Sequence, residues 1–122
     1  MQITERQVGD VMLLELDGRL ILEEGEFPLR EAVDRLVAAG KTKIVLDLAR
    51  VTRIDSAGIG MLVSKYLTAF RKGGRLKLLH LTRRADNALH LTKLSSVFEV
   101  FDSEDEAVAS FKFLPRKHGT SV

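Results

Sequence analysis

A chain of 122 residues, 45% hydrophobic and 30% charged, is long enough for one self-sufficient core, and no run approaches the roughly 18 apolar residues of a membrane span. The absence of cysteine excludes disulfides, thiolate metal sites and cysteine nucleophiles, and it suits a reducing cytoplasm. The net charge of +2 resides in Arg116 and Lys117 of the C-terminal "PRKHGTSV"; the body is balanced, so no basic face for nucleic acid is expected.

The opening "MQITERQVGD" is charged and polar, unlike a secretory signal. "QITERQ" and "VMLLEL" read as strands around a Gly9-Asp10 turn, and Asp17-Gly18 predicts a second break. "FPLREAVDRLVAAG" predicts a helix, with Pro28 in its first turn, Leu29, Val33, Leu36 and Val37 on one face, and Gly40 at its end. "KTKIVLDLA" is nearly continuous in apolar residues, the pattern of a strand covered on both faces. A helix follows, whose stripe of Ile59, Leu62, Val63, Tyr66, Leu67 and Phe70 predicts the core-facing side. Gly73-Gly74 ends it. "RLKLLHL" predicts a strand, "RRADNALHLTKL" a helix and "VFEVF" a last strand. Ser103 and Glu106 have capping-box spacing for a helix through Phe111. The order predicts a single α/β domain over residues 1–114, its small mixed sheet antiparallel at the start and then mainly parallel, with about four packed helices. Residues 115–122 are expected to be a disordered tail.

The segment "RIDSAGIGMLVSKY" leads from a strand's carboxyl end into a helix, where α/β sheets gather functional groups. A serine nucleophile at Ser56 would need a base and an elbow glycine; Ile54 stands where that glycine belongs. His80, at another strand end, is the one histidine that could neighbour it; His90 lies in a helix and His118 in the tail. Neither phosphate-binding glycine pattern is present, so no cofactor is expected. Asp47 and Asp55 have no partner acids or histidines at ligand spacing, so no metal site is expected. Ser56 suits a helix N-cap, a role worth about 1 kcal/mol. The stripe would place Met61, Ser64, Lys65 and Thr68 opposite the core, making Met61 an apolar side chain on the solvent face and a docking candidate.

The signature "VTRIDSAGIG", set in a pattern running from "VMLLELDGRL" to "DEAVASF", resembles the STAS domain (sulfate transporter and anti-sigma-factor antagonist) in its stand-alone bacterial form. The resemblance implies a small sheet with packed helices. It implies a non-enzymatic cytoplasmic antagonist whose partner is an anti-sigma factor with serine kinase activity, the ATP belonging to that partner. Ser56 would be the phosphoacceptor, a serine phosphatase would reverse the modification, and the unphosphorylated form would bind. Carried onto this sequence, the partner-binding residues are Arg53, Asp55, Ser56, Ala57, Gly58, Ile59, Gly60, Met61 and Lys65. Gly58 and Gly60 are expected to keep the serine accessible. Ile21 follows "GRL" where many members carry an aspartate, and acids reappear only at Glu23, Glu24 and Glu26. The alternatives are a non-catalytic scaffold or transporter-associated subunit docking through the same surface, and a small-nucleotide sensor using the helix N-terminus.

Overall fold

The computed structural model describes residues 1–22, 24 and 26–113; the expected tail lies outside them. β1 (Gln2–Val8) and β2 (Val11–Leu20) pair antiparallel across the predicted turn, where Gly9 takes φ +63. α1 (Glu26–Ala38), β3 (Lys43–Ile54), α2 (Ser56–Arg71), β4 (Arg75–Leu79), α3 (Arg83–Leu91), β5 (Val100–Phe101) and α4 (Glu104–Ala109) follow, and α4 runs into a 3-10 turn over Ser110–Phe113. The sheet order is β1-β2-β3-β4-β5, with every pair after the first parallel. Parallel neighbours cannot be joined by a hairpin, so a helix crosses over after each of β2, β3 and β4.

Strand alternation divides the interior in two. Leu14, Leu16, Ile44, Leu46, Leu48, Leu76 and Leu78 meet the buried sides of α1, α2 and α3 in the main core. Val11, Leu13, Val45 and Leu79 point the other way, onto Ala107 and Phe111 of the α4 segment. That segment is anchored by an unusual residue. Lys77 is buried on β4; its Nζ donates to Ser110 Oγ at 2.8 Å and lies 4.4 Å from the Phe111 ring centroid.

The structure corrects several sequence expectations, four of them in the strands and in α2. Asp17-Gly18 is a register irregularity within β2 rather than a break, with Gly18 at φ +132 and the Met1 backbone 3.2 Å from where a Cβ would stand. β3 runs on to Ile54, through residues that are mostly exposed apart from buried Val51 and so escaped a search for continuous apolarity. Within "VFEVF" only Val100 and Phe101 form strand. The fourth correction concerns the phase of α2. Its buried residues are Gly58, Ile59, Met61, Leu62, Lys65 and Ala69, whereas Leu67 and Phe70 are exposed. At 100° per residue the core face is turned by roughly 100° from the predicted stripe. Met61 and Lys65 are only 6% and 5% exposed, so neither lies on the solvent face.

The cause of that rotation is visible. A Cβ on Gly58 would stand 2.0 Å from the Leu20 carbonyl oxygen, so this edge of α2 is pressed against the end of β2. Lys65 can enter the core because its Nζ donates to Asp34 Oδ1 of α1 at 2.6 Å, satisfying the charge while its methylenes pack. Phe70, turned outward, stacks beside Tyr66 and beneath the Arg75 guanidinium.

Between Lys43 and Asp47, β3 lies flanked by β2 and β4; from Arg50 to Ile54 it pairs with β2 alone. β1 ends opposite Asp17. Gly18–Leu20 and Val51–Ile54 therefore form a two-stranded ribbon beyond the rest of the sheet, and Asp55 and Ser56 sit at its tip.

Candidate functional site

Asp55 organises the tip. In extended conformation at φ −116 and ψ −174, it caps α2, its Oδ1 accepting from Gly58 N at 2.9 Å. The other carboxylate oxygen accepts from Leu22 N at 3.2 Å. One side chain thus ties the start of α2 to the connection after β2. The Gly58 amide, followed by those of Leu22 and Ala57, holds the Asp55 carboxyl below the 3.8 of a free aspartate, because each donor stabilises the ionised form.

With Asp55 as cap, Ser56 becomes the first residue of the helix instead of the cap that its residue type had predicted. Sequence alone could not decide between two adjacent residues that both favour capping. Ser56 is exposed, and among the described residues its hydroxyl has no hydrogen-bond partner. It stands at a helix start, where free amides and the dipole favour negative charge. His80 is not brought to it. The His80 ring meets Asp47, Nδ1 to Oδ1, at 3.3 Å, and Asp47 lies eight β3 positions before Asp55, roughly 25 Å along an extended strand.

Of the residues expected at a partner surface, Arg53, Ser56 and Gly60 are exposed, and Asp55 and Ala57 are partly so. Gly58, Ile59, Met61 and Lys65 are buried; Met61 fills the main core and offers no docking surface. Arg53 lies directly across the ribbon from Arg19, whose guanidinium pairs with Glu24 at 2.8 Å. Two exposed apolar residues were missed, one of them, Leu22, bonded to Asp55 through its amide. Leu22 and Phe27, in the connection and the first turn of α1, are 56% and 68% exposed. Phe27 falls outside the Leu29–Val33–Leu36 stripe, and that was the available signal.

The other crevices lie elsewhere. One on the α4 side of the sheet, about 370 Å³, has Thr4, Glu15, Asp17, Asp47, Arg50 and His80 among its lining residues. Among the described residues no group of three or more His, Asp or Glu side chains could hold a metal ion, and no helix is long and apolar enough to cross a membrane.

Comparison with known proteins adds four findings. Residues 2–107 match the STAS domain family. BtrV of Bordetella bronchiseptica, named as a candidate anti-sigma factor antagonist, is 31% identical over 95% of this chain and 100% of its own. Among solved structures, a candidate anti-sigma factor antagonist of Thermotoga maritima superposes with a TM-score of 0.83 at 25% identity, covering 90% of this chain and 94% of that one. SpoIIAA of Bacillus, solved in its phosphorylated form, shares the fold with a TM-score of 0.71 at 19% identity, covering 89% and 98% of the two chains.

Proposed function

The chain belongs to the STAS domain family, and from that premise we propose that it is a cytoplasmic anti-sigma-factor antagonist switched by phosphorylation of Ser56. In the unmodified state it docks on an anti-sigma factor that is also a serine kinase, which frees the sigma factor. The kinase transfers the γ-phosphoryl of its own ATP to Ser56 Oγ; the hydroxyl proton is lost and ADP leaves. A serine phosphatase restores the hydroxyl by hydrolysis. The chain itself is a substrate and a ligand.

The observation that carries this reading is the exposed, unbonded Ser56 hydroxyl at the first position of α2. Exposed Leu22 and Phe27 supply the apolar contact that a protein partner would cover. The relatives named as antagonists align along nearly the whole chain.

The electrostatics support a switch that leaves the fold intact. A dianionic phosphate is tolerated at a helix N-terminus, where it meets free amides. The same group adds about −1.5 to −2 charge beside Asp55. Covering those charges with a partner costs several kcal/mol unless new cations meet them. Docking fails while the domain remains folded.

Peptide mapping after incubation with Mg-ATP and the kinase of the source cells tests the assignment. Phosphate on Ser56 is expected, together with weakened binding. Stoichiometric phosphate elsewhere would overturn it, and binding indifferent to phosphate would favour a constitutive scaffold.

A further inference from the structure

Resting on the reading of Ser56 as a kinase substrate, we infer that Gly60 serves the partner and not the fold: it is a bare stretch of helix backbone that lets the kinase seat closely enough to reach the serine. The other described glycines have evident internal reasons. Gly9, Gly18, Gly40 and Gly73 adopt positive φ, and a Cβ on Gly58 or Gly74 would stand 2.0 Å from a backbone carbonyl oxygen. Gly60 has neither. It is helical, exposed, and a Cβ added there would meet nothing within 4 Å.

A glycine inside a helix is unfavourable, by roughly fivefold in the folding equilibrium relative to alanine. At Gly60 that cost is offset by no contact or conformation within the described chain. Its position gives it another use. Gly60 stands four residues after Ser56 in the same helix, so the two share the exposed face one turn apart, where Cβ atoms would be about 5–6 Å from each other. Phosphoryl transfer requires the acceptor oxygen within roughly 3–3.5 Å of the reacting phosphorus. Ser56 is a short side chain on a helix, so the kinase must bring its own surface almost onto the α2 backbone. A side chain at position 60 would act as a spacer, whereas glycine leaves the approach open.

The two glycines of "GIG" therefore have separate tasks. Gly58 fits α2 against β2, and Gly60 fits α2 to its partner. Gly60 is a positioning residue; it contributes no atom to the transfer.

The test compares wild type, Gly60→Ala and Gly60→Leu, two substitutions that favour helix. Thermal melting is read alongside initial rates of Ser56 phosphorylation by dialysed source-cell extract with Mg²⁺ and γ-labelled ATP, across a range of substrate concentrations. Both variants should melt a few degrees higher than wild type, roughly 3–5 °C for alanine. The half-saturating concentration should rise by about tenfold for alanine and further for leucine, with the maximal rate little changed. A lower melting temperature for Gly60→Ala would assign the glycine to the fold and overturn the inference. So would unchanged half-saturation, while wild-type labelling at Ser56 left the functional reading standing. If wild type itself gains no phosphate on Ser56, the functional reading falls, and this inference falls with it.

Discussion

At the scale of single residues, the assignment of Asp55 as cap gives Ser56 freedom to change. Ser56→Ala should fold with stability within about 0.5 kcal/mol of wild type, since an exposed first-turn residue without a partner contributes little. It should accept no phosphate and stay permanently competent to bind, as a pull-down with and without Mg-ATP would reveal. Asp55→Ala removes both the cap and the tie to Leu22. Chemical denaturation should show a loss of about 1–2 kcal/mol. The pH dependence has a definite sign. The folded Asp55 carboxyl lies below 3.8, held there chiefly by the Gly58 amide. Its contribution is therefore fully present above the unfolded value and is lost as pH falls through the depressed one. Asp55→Asn keeps a capping side chain but removes the titration. The stability gap between wild type and this variant should narrow as pH drops from about 5 to about 2.

At the scale of the element, α2 is where sequence and structure part. Its existence and glycine stop were legible from the apolar period and from Gly73-Gly74, and its start to within one residue, but its phase was not. Counting apolar residues favoured Leu67 and Phe70 over Met61, and it gave no weight to a glycine or a lysine as core residues. The decisive contacts were tertiary: the Leu20 carbonyl against Gly58, and Asp34 of α1 reaching Lys65. Neither partner is identifiable from α2 alone. With the corrected phase, Met61→Asp should behave like Leu62→Asp, each placing an uncompensated charge in the core and costing at least about 3 kcal/mol. Comparable stability of Met61→Asp and wild type in thermal melts would restore the original phase. The Lys65–Asp34 pair should be asymmetric. Asp34→Ala strands a buried ammonium, whereas Lys65→Met retains the packing and frees a half-exposed carboxylate. The first should lower the urea midpoint more than the second.

For the whole molecule, the α/β order, the antiparallel start and the parallel continuation were readable because strand and helix periods alternate cleanly. The place of the serine at a strand exit was readable too. What sequence withheld was the overhang, since the outer half of β3 is mostly exposed and carries Arg50 and Arg53. The overhang keeps the proposed switch remote from α4 and the Lys77 anchor. Amide NMR spectra of free and phosphorylated forms should differ around Arg53–Met61 and the Leu20–Leu22 connection. Shifts spreading to Ala107 or Phe111 would require a conformational switch instead of blocked docking. The ribbon also sets a gradient in time. Val51–Ile54 have one strand neighbour, whereas Ile44–Leu46 have two and are sealed on both faces. Local openings should cost least where pairing is one-sided. In deuterated buffer the ribbon amides should exchange well before those at the sheet centre, which should survive until global unfolding. The serine would then ride on a part of the sheet that breathes more often than its centre, while the centre keeps the slower clock of the whole fold.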